Sequence, residues 1–229
     1  MTVRAVLFDV GGPIDTEIES EQSIDSLIRA RLEGAGVQVS DEDYAAANRW
    51  AVESFAPNTY KAIIWRLCGS NHELASRLGR QPFAGRTFEL RPRMAELLRS
   101  LSGSGMKLGL AANQPARVLE ELDRLSIGQC FTHREVSGHH GFRKPDVRLF
   151  LRACEDLEVD PGECIMVGDR IDNDIAPARL LGMRTVLFRT GRHRHQQPRS
   201  VDEVPDFEVA DVPSLEASLR ALIERPTTM

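Results

Sequence analysis

A chain of 229 residues, 41% hydrophobic and 28% charged, has the composition of a globular protein with room for one large domain or a domain plus an insertion. Its net charge of -5 offers no basic face to a nucleic acid. No apolar run approaches the roughly 20 residues that span a bilayer, and the start of the chain lacks a signal-peptide pattern. Cys68, Cys130, Cys154 and Cys164 have no CxxC spacing. They read as buried thiols in a reducing compartment, not as a disulfide frame or a zinc site. A cytoplasmic protein is the expectation.

The first element is the apolar run Val6-Leu7-Phe8, which ends abruptly at Asp9 and turns on Gly11 and Gly12. A strand that delivers a carboxylate to its carboxyl end suits a nucleophile, because open α/β sheets bind ligands at that rim. Alone, the same pattern fits an acidic turn residue closing a buried strand. From residue 17 the periodicity becomes helical. Ile24, Leu27, Ile28 and Leu32 form one stripe over 17–34, and Gly34 and Gly36 end it. Ser40 is placed to cap a helix over about 41–55 carrying Tyr44, Ala47 and Val52. A third helix after Pro57 buries Ile63, Ile64 and Leu67, and a shorter one covers about 71–79. Pro82 and Gly85 mark a linker. No strand signal interrupts 17–88, so 16–88 is expected to be an all-helical cap inserted into a core formed by 1–15 and 89–229.

Strands and helices then alternate. A helix over about 92–103 precedes strand Lys107–Ala111, whose loop Ala112-Asn113-Gln114-Pro115 opens a helix reaching Leu125. A short strand near 134–136, a loop from His139 to Lys144 and a helix from Pro145 to Leu157 follow. Strand Cys164–Val167 ends at Gly168-Asp169, with a helix from about Asp172, strand Thr185–Phe188, an Arg/His-rich loop, a weak strand near 207–209 and a helix over about 213–224. The terminal 226–229 should fray. This alternation predicts an α/β fold with a doubly wound, Rossmann-like parallel sheet.

Four loops thus fall at predicted strand ends, and they carry Asp9, Asn113, Lys144 and Asp169. In order and type they resemble the haloacid dehalogenase-like hydrolase superfamily. Phe8-Asp9-Val10-Gly11-Gly12 matches its first motif, Ala111-Ala112-Asn113 the second, Arg143-Lys144-Pro145 the third, and Gly168-Asp169 with Asp174 the fourth. The insertion matches a helical cap placed after the first motif. The resemblance implies a phosphatase in which Asp9 attacks phosphorus to form an aspartyl-phosphate. It implies Mg2+ held by Asp9, the Gly11 carbonyl, Asp169 and Asp174, an oxygen-only donor set that suits this ion. Lys144 would neutralise nucleophile and phosphoryl group, and Gly12, Ala112 and Asn113 would help to bind phosphate. The substrate would be a small phosphorylated molecule, and the protein a monomer or homodimer.

Two positions depart from the pattern. Gly11 stands where most phosphatases of the superfamily have a second Asp as general acid and base, a group worth about 10²–10⁴-fold. Ala112 replaces the Ser or Thr of the second motif. Activity that is low or restricted to good leaving groups follows from these losses. A different hydrolytic reaction such as dehalogenation, or a non-catalytic metal- or ligand-binding role, are the alternatives. The acids Asp169 and Asp174 weigh against dehalogenation, since without an ion they would repel one another and the nucleophile.

Lesser signals are Asp15, read as a cap of the following helix, and Asp172, read as another N-cap. Arg170 is read as part of an exposed ion pair, and Arg192-His193-Arg194-His195 as a solvated loop open to an anionic substrate. Trp50, Phe55, Tyr60 and Trp65 are read as core of the helical insertion.

Overall fold

The computed structural model describes residues 2–82 and 87–224, so Gly85 of the expected linker and the 226–229 end lie outside it. The chain divides into two compact units, Met1–Thr16 with Phe88–Met229, and Glu17–Thr87. No described helix is long and apolar enough to cross a membrane.

In chain order the elements are β1 (Ala5–Phe8), α1 (Ile18–Gly34), α2 (Asp41–Glu53), α3 (Thr59–Leu67), α4 (His72–Gly79), α5 (Met94–Gly103), β2 (Lys107–Leu110) and α6 (Val118–Arg124). Then come α7 (Arg148–Leu157), β3 (Cys164–Gly168), α8 (Ala176–Leu180), β4 (Arg184–Phe188), β5 (Phe207–Val209) and α9 (Val212–Glu224). The strands form one parallel sheet in the order β2-β1-β3-β4-β5. Its two faces explain the near-continuous apolar strands. Val6, Phe8, Ile165 and Val167 join Leu98, Leu122 and Leu219 of α5, α6 and α9 on one face. Ala5, Leu7, Cys164 and Met166 meet Phe150, Leu157 and Ala178 of α7 and α8 on the other. Helices on both faces make the sheet doubly wound. The chain runs from β1 to β2 on one side and returns through β3 on the other. The topological switch point, where such sheets bind ligands, therefore lies between β1 and β3.

Two local expectations change. No strand forms at 134–136, where the segment makes only a one-residue parallel bridge, Gly109 with His133, at the sheet edge. The turn after Asp169 begins as one wide π-type turn, Ile171–Ile175, before α8.

The second unit packs Ile24, Ile28 and Leu32 of α1 against Tyr44 and Ala47 of α2, Ile63 and Ile64 of α3, and Leu74 and Leu78 of α4. Side chains start three of the four helices. Ser40 and Asp43 form a capping box, and the Asn58 and Asn71 carboxamides accept the N–H groups of Lys61 and Leu74. Trp65 is not core: it is 48% exposed, stacked on Trp50 at 6.4 Å and on His72 at 5.5 Å between ring centroids. Trp50, Phe55 and Tyr60 are half-buried.

Candidate active site

The site grows from the register of β1 and β3. Phe8 pairs with Val167, so the next residues, Asp9 and Gly168-Asp169, leave the sheet side by side, and the Asp9 N–H donates to the Val167 carbonyl at 2.9 Å. The Val10 N–H holds Asp9 Oδ1 at 2.8 Å, while Oδ2 faces Lys144 Nζ at 3.0 Å. The same ammonium lies 2.5 Å from Asp174 Oδ1. The other Asp174 oxygen accepts the N–H groups of Asp169 (3.1 Å) and Arg170 (2.9 Å), so this fully buried carboxylate also shapes the loop that presents Asp169.

Glycine makes the approach possible. Gly12 sits at φ +87°, and a Cβ there would fall 2.7 Å from Asp169 Cγ. A Cβ on Gly168 would lie 2.3 Å from the Asp174 side chain. One carboxylate oxygen from each of Asp9, Asp169 and Asp174 can be chosen so that all three lie within 4.8 Å of one another.

Burial sets the electrostatics. It pushes the Asp9 carboxyl up to about 6, with Lys144 opposing and Asp174 adding to the rise. Burial alone would lower the Lys144 ammonium, but Asp174 and Asp9 outweigh it and hold Lys144 above its ordinary value. Lys144 stays charged, pinned between two acids.

The structure brings Asp9, Lys144, Asp169 and Asp174 together and gives the residues expected at the phosphate other contacts. Asn113 spends both ends of its amide on Lys144: Nδ2 donates to the Lys144 carbonyl at 3.0 Å and Oδ1 accepts the Lys144 N–H at 2.8 Å. It positions the lysine. The Gly12 N–H is committed to the Asp15 carbonyl at 2.8 Å. Ala112 lies wholly in the core, with its carbonyl accepting the Ser137 N–H. At Gly11 the chain bridges to Asp15, with no side chain where a general acid would sit.

Other expectations shift as well. Asp15 does not cap α1, whose first turn begins at Glu17 with φ 56° and no side-chain cap. Its Oδ1 instead accepts the Glu89 N–H at 3.0 Å, and Thr16 N–H donates to the Glu89 carbonyl. Asp172 and Arg170 form a half-buried pair at 2.5 Å in place of an N-cap and an exposed ion pair. Within the Arg/His loop, Arg192 and His193 are half-buried; only Arg194 and His195 are exposed.

Arg91 had no sequence signal beyond its place where the chain re-enters the sheet unit. Its Nη2 donates to the Gly12 carbonyl at 2.6 Å and to Thr190 Oγ1 at 2.8 Å, and the guanidinium lies 4.7 Å over the Phe188 ring. It braces the nucleophile loop from beneath.

The family model for haloacid dehalogenase-like hydrolases matches residues 3–182. A relative from Methanopyrus kandleri, named glyceraldehyde 3-phosphate phosphatase, is 31% identical over 216 residues, covering 90% of this chain and 93% of its own. Among solved structures, a HAD phosphatase from Thermococcus onnurineus covers 95% of this chain and 98% of its own, with TM-score 0.61 at 23% identity. A 2-haloacid dehalogenase from Pseudomonas syringae covers 96% and 99%, with TM-score 0.59 at 22% identity. The last two share the fold with this chain while their names carry different reactions. On the family match and the archaeal relative, the chain belongs to the haloacid dehalogenase-like hydrolases.

Proposed function

We propose that the protein is a magnesium-dependent phosphatase that moves the phosphoryl group of a small phosphorylated metabolite first to Asp9 and then to water. The observation that carries this reading is the convergence of Asp9, Asp169 and Asp174 at one rim, with the buried Lys144 ammonium against Asp9 and Asp174. Three carboxylates this close repel one another, and a divalent cation among them would offset that repulsion. The donor set is all oxygen, as Mg2+ prefers, and the missing Cβ of Gly12 leaves Asp169 room to join it. Asp9, the Gly11 carbonyl, Asp169 and Asp174 would hold the ion, which when bound supplies charge neutralisation at the phosphoryl oxygens.

The chain's own residues do the rest. Asp9, fixed by the Val10 N–H and Lys144, is aimed as the nucleophile. An Asp9 oxygen bonds to phosphorus as the ester oxygen leaves, and water then cleaves the acyl phosphate to regenerate the carboxylate. Lys144, locked by Asn113 and Asp174, offsets charge on the transferring group without reorganising. Nothing at position 11 protonates the leaving oxygen or activates water, so phosphates with good leaving groups should react best. The archaeal relative's name makes glyceraldehyde 3-phosphate a reasonable member of a substrate screen.

The test is turnover of acetyl phosphate and p-nitrophenyl phosphate with magnesium, beside an Asp9→Asn variant. Metal-dependent hydrolysis that the variant lacks is the expected result. No turnover above the variant's background on either compound would overturn the phosphatase reading and favour a binding role or another hydrolytic reaction.

A further inference from the structure

From Val10 to Asp15 the backbone carbonyls of the nucleophile loop are taken, with one exception. The Val10 carbonyl accepts the N–H groups of Ile14 at 3.1 Å and Asp15 at 2.8 Å, and the Asp15 carbonyl accepts the Gly12 N–H at 2.8 Å. Those between them belong to Arg91. Its Nη2 and Nε donate to the Gly12 carbonyl at 2.6 and 3.1 Å, and Nε donates to the Pro13 carbonyl at 3.1 Å. Its backbone N–H donates to the Ile14 carbonyl at 2.8 Å. The exception is Gly11: among the described residues no N–H donates to its carbonyl, although Gly11 is buried. A buried carbonyl is normally paired, so an open one calls for a reason.

The open carbonyl adjoins the acids. Gly11 lies two residues after Asp9, and the backbone of the next residue, Gly12, runs so close to Asp169 that a Cβ would fall 2.7 Å from its Cγ. In a trans peptide the C=O points opposite to the N–H. The Gly12 N–H is fixed on the Asp15 carbonyl, so the Gly11 carbonyl of the same peptide is turned away from that turn. Two successive glycines would let this peptide turn over freely. Arg91 removes that freedom by holding the peptide that follows. The guanidinium is itself anchored, donating to Thr190 Oγ1 at 2.8 Å and lying 4.7 Å over the ring of Phe188 at the end of β4. A planar fork can meet both carbonyls and the hydroxyl at once; a lysine ammonium cannot keep that geometry.

We propose that Arg91 is a positioning residue for the metal-dependent reaction. By closing the carbonyls of Gly12, Pro13 and Ile14, it locks the Gly11–Gly12 peptide so that the Gly11 carbonyl stays open to the cation. Arg91 touches neither the ion nor the substrate and acts through the loop. The assignment rests on the phosphatase reading and adds to it the group that presets the backbone ligand.

Mn2+ binding to the full, metal-stripped chain tests it, read from the electron paramagnetic resonance signal of the free ion. Arg91→Met should weaken binding by about 10–100-fold, the loss typical when a group that orients a metal ligand is removed. It should lower kcat on acetyl phosphate by a similar factor while KM changes little. Arg91→Lys keeps the charge without the fork and should recover little of either. Thr190→Val removes one anchor of the guanidinium and should weaken binding in the same direction by less. Urea unfolding of each variant separates this from a purely structural role. Should Arg91→Met fail to fold, Arg91→Lys and Thr190→Val decide. Variants that bind Mn2+ as wild type does, with only the unfolding midpoint lowered, would overturn the proposal and leave the phosphatase reading standing. Full recovery in Arg91→Lys, or wild-type protein that binds no Mn2+, would also overturn it. Wild-type protein that binds Mn2+ and hydrolyses nothing would overturn the phosphatase reading alone, and the affinities would still decide for or against Arg91.

Discussion

Among the described residues of the sheet unit, two clusters bring potential metal-ligating atoms within 4.8 Å of one another: Asp9, Asp169 and Asp174, and His133, Glu135 and Asp156. The first stands at the carboxyl ends of β1 and β3, at the switch point. The second stands at the sheet edge beside β2, where His133 bridges Gly109. Their counter-charges differ as much as their positions. Lys144 is buried and reaches its acids through a side chain held at its backbone by Asn113. In the edge cluster Arg152, 41% exposed, lies 3.2 Å from Glu135 and 3.0 Å from Asp156, and His133 Nδ1 lies 2.9 Å from Asp156. A half-exposed arginine already answers those acids and can leave them for water. A buried lysine cannot, so the charges around it have to be matched by design of the fold. Equal distances therefore do not make equal sites; desolvation and position on the sheet separate them.

Removing the buried cation should have the largest effect. Lys144→Met leaves Asp9 and Asp174 without their common partner, and should cost about 3–5 kcal/mol of stability by urea unfolding. It should also lower kcat on acetyl phosphate by about 10²–10³-fold or more. Next comes the metal. Chelation with EDTA should abolish turnover and added Mg2+ restore it, whereas Asp174→Asn should stay at least about 10²-fold down at any Mg2+ concentration. Restoration of that variant to wild-type rates would remove Asp174 from the metal site.

Asp9→Asn should separate function from stability. In the metal-free protein the Asp9 carboxyl is raised from 3.8 to about 6, so between these values the folded state binds more protons than the unfolded one. Wild-type stability should then fall as pH rises from about 4 to 6. Above that window Asp9→Asn should be more stable than wild type by about 1–3 kcal/mol, with the gain fading as pH drops toward 4. Thermal unfolding in EDTA at pH 8, 6 and 4 checks both sign and window. The smallest effect belongs to the edge: Arg152→Ala should change stability by no more than about 1 kcal/mol and leave magnesium activation as it was.

The parts of this site legible in the sequence are those set by the strands themselves. An apolar run ending in Asp9, and another ending in Gly168-Asp169, had to put carboxylates at the rim once both strands were parallel and buried on two faces. What stayed hidden depends on partners far along the chain. The carboxamide of Asn113 fits a phosphate ligand as well as a backbone clamp, and its two bonds to the Lys144 backbone, 31 residues on, depend on tertiary structure that the local sequence does not show. Arg91 reaches a carbonyl 79 residues earlier. The strand expected at 134–136 had suitable residues, yet at the edge the segment pairs with β2 through a single bridge at His133. Asp15 looked like a helix cap because a helix follows it closely. With Glu17 in a left-handed conformation, α1 starts without a side-chain cap, and Asp15 ties the outgoing chain to the returning one at Glu89.

In the proposed reaction Asp9 takes the phosphoryl group. Mix the protein with 32P-labelled acetyl phosphate and Mg2+, quench in acid within milliseconds, and map the labelled peptide. Acid-stable label is expected on the peptide containing Asp9, absent in Asp9→Asn and absent without Mg2+. Steady hydrolysis of the same compound with no label on that peptide, or with label elsewhere, would contradict it.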